Sequence, residues 1–130
     1  MVTPAEEQPE TITVDAWITG ARARLDRVQL QDLAQEIADG AIVIDTRDSA
    51  DQEAEGAMPG AVIVTRNVLE WRMIPSSPSR LEGITADSRA IIACNDGFSS
   101  SIAAASLHDL GLPRATDLVG GYRAWRAATA

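Results

Sequence analysis

Three short apolar runs constrain this chain more than any other feature. "AIVID" (41–45), "AVIV" (61–64) and "AIIAC" (90–94) are rich in β-branched side chains and show no polar alternation. A run of that kind suits a strand covered on both faces, whereas a strand with one wet face alternates. "ATDLV" (115–119) repeats the signal more weakly. Helix-like segments lie between the runs, at roughly 67–72, 100–110 and 122–128. Strands alternating with helices predict an α/β fold with a parallel sheet and helices on both faces. Ligands of such sheets gather beyond the carboxyl ends of the strands. Two segments stand there: "DTRDSADQEAEG" (45–56) and "CNDGFSSS" (94–101).

Upstream of the first strand, residues 1–12 read as a Pro- and Glu-rich tail. Residues 13–26 read as a helical extension, with 27–130 as the single main domain. In the extension, Asp15 is placed to cap a helix over 15–25, with Trp17, Ile18, Ala21 and Leu25 on one face. A second helix is expected over 30–38, with Leu30, Leu33, Ala34 and Ile37 inward and Gly40 as its stop. No apolar run is long enough to span a bilayer. "MVTPAEEQPE" has neither a basic n-region nor an apolar h-region, so no secretory signal is expected. One cysteine in the whole chain fits a reducing cytoplasm. The net charge is −8 and all 11 basic residues are arginine, a surface that disfavours nucleic acid.

Cys94 is that single cysteine, at a strand end, ahead of a Gly-containing loop and a helix. Loop amides and a helix N-terminus can both turn toward a sulfur there. Either favours thiolate over thiol. Gly97 supplies the backbone freedom for the turn, and Ser99 or Ser100 can cap the helix. The competing reading is a small, buried, inert residue, the commonest fate of a free cysteine.

These residues resemble the rhodanese-like domain family, whose active loop reads Cys-x-x-Gly-x-(Arg/Ser/Thr)-Ser/Thr at a strand-to-helix turn. "CNDGFSS" matches it at Cys94, Gly97, Ser99 and Ser100. "VIDTR" (43–47) is similar to the family's Asp-x-Arg strand end, "EGAMPGAVIV" (55–64) to its Gly-His-Ile-Pro-Gly-Ala segment, and "DLVGGYRAWRAA" (117–128) to its closing Gly-Gly-aromatic-x-x-Trp. Order and spacing agree over about residues 27–128. The resemblance implies a five-stranded parallel sheet and a sulfurtransferase. Cys94 would take a sulfane sulfur from thiosulfate or a persulfide and pass it to cyanide, a thiol or a protein thiol. Asn95, Asp96, Gly97, Phe98, Ser99 and Ser100 would form the substrate loop. No metal and no organic cofactor are implied, nor any nucleic-acid or membrane partner; monomer and homodimer stay open. Rhodanese-like modules without catalysis also exist, so a binding or redox-sensing module is the second reading. The loop is shorter than that of related phosphatases and lacks their Arg.

Many family members carry a cation in this loop; here there is none. An inward Asp96 would oppose the thiolate, so it is expected to point outward. Thiosulfate, an anion, is expected to be a poor donor. Arg66 and Arg72, with Trp71 between them in the chain, are the candidates to supply positive charge. Asp45 and Arg47 read as a buried ion pair that shapes the loop after the first strand. The run Asp48, Asp51, Glu53, Glu55 reads as a solvated face, and no histidine joins it to suggest a metal. His108 is expected at the surface, Tyr122 and Trp125 in packing. Phe98 folds back on the domain or lines a pocket mouth.

Overall fold

The apolar runs form a parallel sheet of β1 (Ile42–Asp45), β2 (Val62–Ile63), β3 (Ala90–Ala93) and β4 (Thr116–Asp117), in the order β2-β1-β3-β4. The computed structural model describes residues 10–130; residues 1–9 of the expected tail lie outside the described residues. The sheet has four strands rather than the five expected. The fifth is reduced to a single parallel bridge, Val28 to Leu118 beside β4. It cannot extend because the chain turns into a 3-10 turn at Leu30–Asp32.

Successive strand residues go to opposite faces, and both faces are filled. Val43, Ile91 and Ala93 join Val28, Leu33, Met58, Leu118 and Tyr122 on one side. Ile44, Ile92 and Ala90 join Leu69, Met73, Ala103 and Leu107 on the other. Double coverage explains why β1 and β3 lack alternation in the sequence. β2 departs from the expected buried strand. It is the edge, paired on one side only, and leaves Val62 and Ile63 exposed.

The helices are α1 (Val14–Arg22), α2 (Leu33–Ala38), α3 (Ser49–Glu55), α4 (Leu69–Met73), α5 (Ser99–Asp109) and α6 (Gly121–Thr129). Thr13, not Asp15, caps α1: its Oγ1 accepts the amide of Ala16 at 3.0 Å. Only Ile18 and Ala21 of the expected inner face are buried, and Trp17 stands out in solvent. α2 is so short that it buries Leu33 alone, leaving Ala34 and Ile37 exposed. α5 packs through small residues, Ser100, Ser101, Ala103, Ala104 and Ala105, with Leu107. Leu110, the residue after the helix, is exposed.

At the end of β1 the side chains of Asp45 and Arg47 are both fully buried and paired at 2.8 Å. Arg47 also donates to Gln52 Oε1 at 3.1 Å and to the Gly56 carbonyl at 3.0 Å, and its guanidinium lies 3.6 Å from the Tyr122 ring centre. One cation thus ties β1, α3 and α6 together. Arg47→Met would leave a buried carboxylate without its partner, a loss of about 3–5 kcal/mol. Urea denaturation should show it as a lowered midpoint.

Candidate active site

Cys94 follows β3 directly and is buried, with 7% of its surface exposed. The amides of Gly97 and Ser100 point at its Sγ, at 3.2 and 3.4 Å. α5 has no side-chain cap, contrary to the role expected of Ser99 or Ser100. The sulfur itself accepts a first-turn amide that a capping oxygen would otherwise take.

Three carbonyls of the turn are held from outside, which fixes the backbone around these amides. Cys94 O and Asn95 O accept the first amides of α6, from Tyr122 at 2.8 Å and Arg123 at 3.0 Å. Gly97 O accepts from Arg22 at 2.8 Å and Arg27 at 3.0 Å. Gly97 has φ 82°, and a Cβ there would lie 2.7 Å from the Gly120 amide nitrogen. Gly121 has φ 65°, and its Cβ would lie 2.5 Å from Cys94 O. Both positions require glycine.

Behind the loop, Asp117 is a fully buried carboxylate. Arg27 pairs with it at 2.8 Å, and the hydroxyls of Ser100 and Ser101 each donate to its Oδ2 at 2.8 Å. Arg22 adds a bond from Nε to Ser101 Oγ at 3.1 Å. The N-terminal extension therefore takes part in holding the loop, through Arg22 on α1.

Burial pushes the Cys94 thiol up, but the hydroxyls of Ser100 and Ser99 and the amides of Ser100 and Gly97 outweigh it, and the thiol is held below its ordinary value. Ser100 has one hydroxyl proton, and the Asp117 carboxylate claims it. Ser99 is then the side-chain donor left for the sulfur, beside the two amides.

The sulfur opens into a cleft of about 460 Å³, lined by Arg47, Asp48, Asp51, Arg66, Asn95, Asp96, Phe98 and Ser99 among others. Asp96 points outward, half exposed, and pairs with Arg123 at 2.8 Å. Arg123 also pairs with Glu55 at 2.8 Å, and the two carboxylates hold its guanidinium well above the ordinary range. Asn95 donates to Asp51 at 3.0 Å. Phe98 stands at the cleft mouth, exposed, with the Arg22 guanidinium 5.3 Å from its ring centre. Arg66 lines the cleft, but its Nη1 is bound to both oxygens of Glu70 at 2.9 Å. Arg72 does not reach the cleft: it donates to the Ser79 carbonyl at 2.9 Å, because α4 turns it toward the segment before β3. Trp71 is exposed. His108 is partly buried rather than free at the surface, with Nε2 against the Ala115 carbonyl, and does not line the cleft. Tyr122 is buried in the core and Trp125 packs on it, with ring centres 5.8 Å apart.

Sequence reasoning missed Arg22, Arg27, Asp117 and Arg123. Asp117 had a signal, since an acid inside an apolar strand needs a buried partner. The three arginines had none, because each reaches the loop from a distant element.

A model of the rhodanese-like domain matches residues 29–128. The chain belongs to the rhodanese-like domain family. Among solved structures it is similar to a protein of unknown function from Rhodopseudomonas palustris, described as a possible tyrosine phosphatase, at 29% identity and TM-score 0.80, covering 95% of this chain and 97% of that one. It is also similar to the human single-domain sulfurtransferase, at 26% identity and TM-score 0.66, covering 78% of this chain and 95% of that one. A third, the thiosulfate sulfurtransferase from Pseudomonas aeruginosa, is 27% identical with TM-score 0.62, covering 81% of this chain but 18% of that one. No curated protein matches by sequence.

The rate of Cys94 alkylation should fall, as pH falls, through an inflection lower than that of an ordinary free thiol. Ser99→Ala and Arg123→Gln should each move that inflection upward, the first by removing a donor and the second by releasing Asp96. Ser106→Ala, remote from the sulfur, should leave it in place. Iodoacetamide kinetics across pH would measure all four proteins.

Proposed function

We propose that this protein is a sulfurtransferase that carries sulfane sulfur on Cys94. The observation that supports this reading best is the pair of amides, from Gly97 and Ser100, aimed at Sγ. They stabilise a thiolate before loading. They also suit the negative charge of the terminal sulfur of a persulfide.

The chemistry is two displacements. First, the Cys94 thiolate attacks the outer sulfur of the donor; a sulfur–sulfur bond forms at Cys94 as the donor's breaks. Thiosulfate would leave as sulfite, a persulfide as a thiolate. Then an acceptor thiolate or cyanide attacks the same outer sulfur, and Cys94 leaves as thiolate. No oxidant or reductant is consumed, and no general base is needed once the thiol is ionised.

A phosphatase reading, suggested by the Rhodopseudomonas palustris relative, fits the cleft less well. Phosphoryl transfer needs donors or cations on the equatorial oxygens. Arg47 is held by Asp45, and Arg66 by Glu70. The same pairing disfavours thiosulfate. Of the cleft's charges, Asp48 and Asp51 have no cationic partner among the described residues.

Incubation with a small persulfide should add the mass of one sulfur atom to the wild-type chain and none to Cys94→Ser, read by intact mass spectrometry. Thiosulfate should load more slowly than the persulfide, and slower still at low salt, where like charges are least screened. A chain that loads from no donor would refute the enzyme and leave the binding or redox-sensing module.

A further inference from the structure

Beside the cleft runs a second, apolar groove of about 340 Å³ between α1 and the loop, lined by Val14, Trp17, Ile18 and Ile102 with Phe98. Phe98, Ser99 and Arg66 line both spaces, so the groove is continuous with the mouth above Cys94. Its large side chains are open to solvent: Val14 is 67% exposed, Trp17 53% and Phe98 55%. An exposed cluster of that kind at a cleft mouth is an unusual cost for a monomer surface. The rest of the cleft rim, outside the groove, is polar and acidic. There the carboxylates of Asp48 and Asp51 stand at the start of α3 without a cation beside them among the described residues.

We infer that groove and rim together dock a segment of a partner protein whose reactive cysteine lies between a large apolar residue and basic residues. The apolar residue seats between Trp17 and Phe98; the basic side chains face Asp48 and Asp51; the cysteine between them reaches Sγ. The inference rests on the sulfurtransferase reading for what passes between the two cysteines, but not for the docking itself. Charge selects the occupant. Each arginine lining the cleft is paired with a carboxylate, so its charge toward a small anion is largely offset. A second copy of this chain would bring its own net charge of −8 against the same acidic rim. A basic segment is attracted by both the rim and the whole-chain field. In the transfer, the partner's thiolate attacks the outer sulfur of the Cys94 persulfide. The bond to Cys94 breaks, and the partner leaves as the persulfide.

The test uses synthetic peptides with one cysteine, a leucine on one side of it and two arginines on the other. Their binding to Cys94→Ser protein, by calorimetry, reads docking without chemistry. We expect the basic peptide to bind about tenfold or more tightly than the same peptide with glutamates in place of the arginines, and to weaken as salt rises. Replacing the peptide's leucine by serine, or the protein's Trp17→Ser, should each cost about tenfold, the scale of one apolar anchor. Asp48→Asn with Asp51→Asn should shrink the preference for arginine over glutamate, leaving only the part that the rest of the chain's charge supplies. Equal binding of the two peptides, or no effect of Trp17→Ser in a chain that melts at the wild-type temperature, would overturn the proposal. A dimer in sedimentation that Trp17→Ser dissociates would overturn it too, and assign the face to a second copy. Sulfur loading of the wild type is measured separately. Its failure alone refutes the sulfurtransferase reading while binding still decides the docking surface.

Discussion

The site depends on where four backbone carbonyl bonds go. Cys94 O and Asn95 O are held by the first amides of α6, and Gly97 O is held by Arg22 and Arg27 together. These bonds pin the peptide planes that flank Gly97 and so fix the path of the turn. Along that path the amides of Gly97 and Ser100 meet the sulfur. A cradle of this kind needs no cation inside it. The positive charge is applied from behind, on the carbonyl side, by arginines that never touch the sulfur.

The buried charges follow the same economy. Asp117 is fully buried yet has three sets of donors: Arg27, Ser100 and Ser101. Asp45 is fully buried and held by Arg47, which is sandwiched against Tyr122. A lone carboxylate at either place would be too costly to keep ionised. Asp96 is the contrasting case. It stays half exposed at the cleft wall, where its charge is offset by Arg123. Each of these three aspartates is offset by an arginine, which is compatible with the lowered thiol pKa of Cys94.

Much of this was legible in the sequence. β1 and β3 declare themselves by apolar runs without alternation, because both faces of a central parallel strand are buried. The Cys94–Ser100 turn could be placed because a strand end, a glycine and a helix start are local signals. The outward Asp96 followed from electrostatics alone, since an inward carboxylate beside a thiolate is unfavourable. What failed was set by tertiary placement. Whether "AVIV" is covered depends on being the edge strand, and whether Ile37 and Trp17 are buried depends on which face meets a neighbour. Arg66 and Arg72 follow the same strand, yet only Arg66 reaches the cleft. Arg22 and Arg27 meet Gly97 across more than half of the chain, a pairing that no local spacing encodes.

Gly120 and Gly121 carry one further consequence. They let the N-terminus of α6 press against the loop so closely that a Cβ on Gly121 would strike Cys94 O. The groups that lower the thiol all belong to its own loop, but the loop shares one backbone surface with α6, whose amides from Tyr122 and Arg123 satisfy Cys94 O and Asn95 O. A side chain at Gly121 would force the two surfaces apart. The shape of the cysteine turn is thus open to damage from a residue that never touches the sulfur.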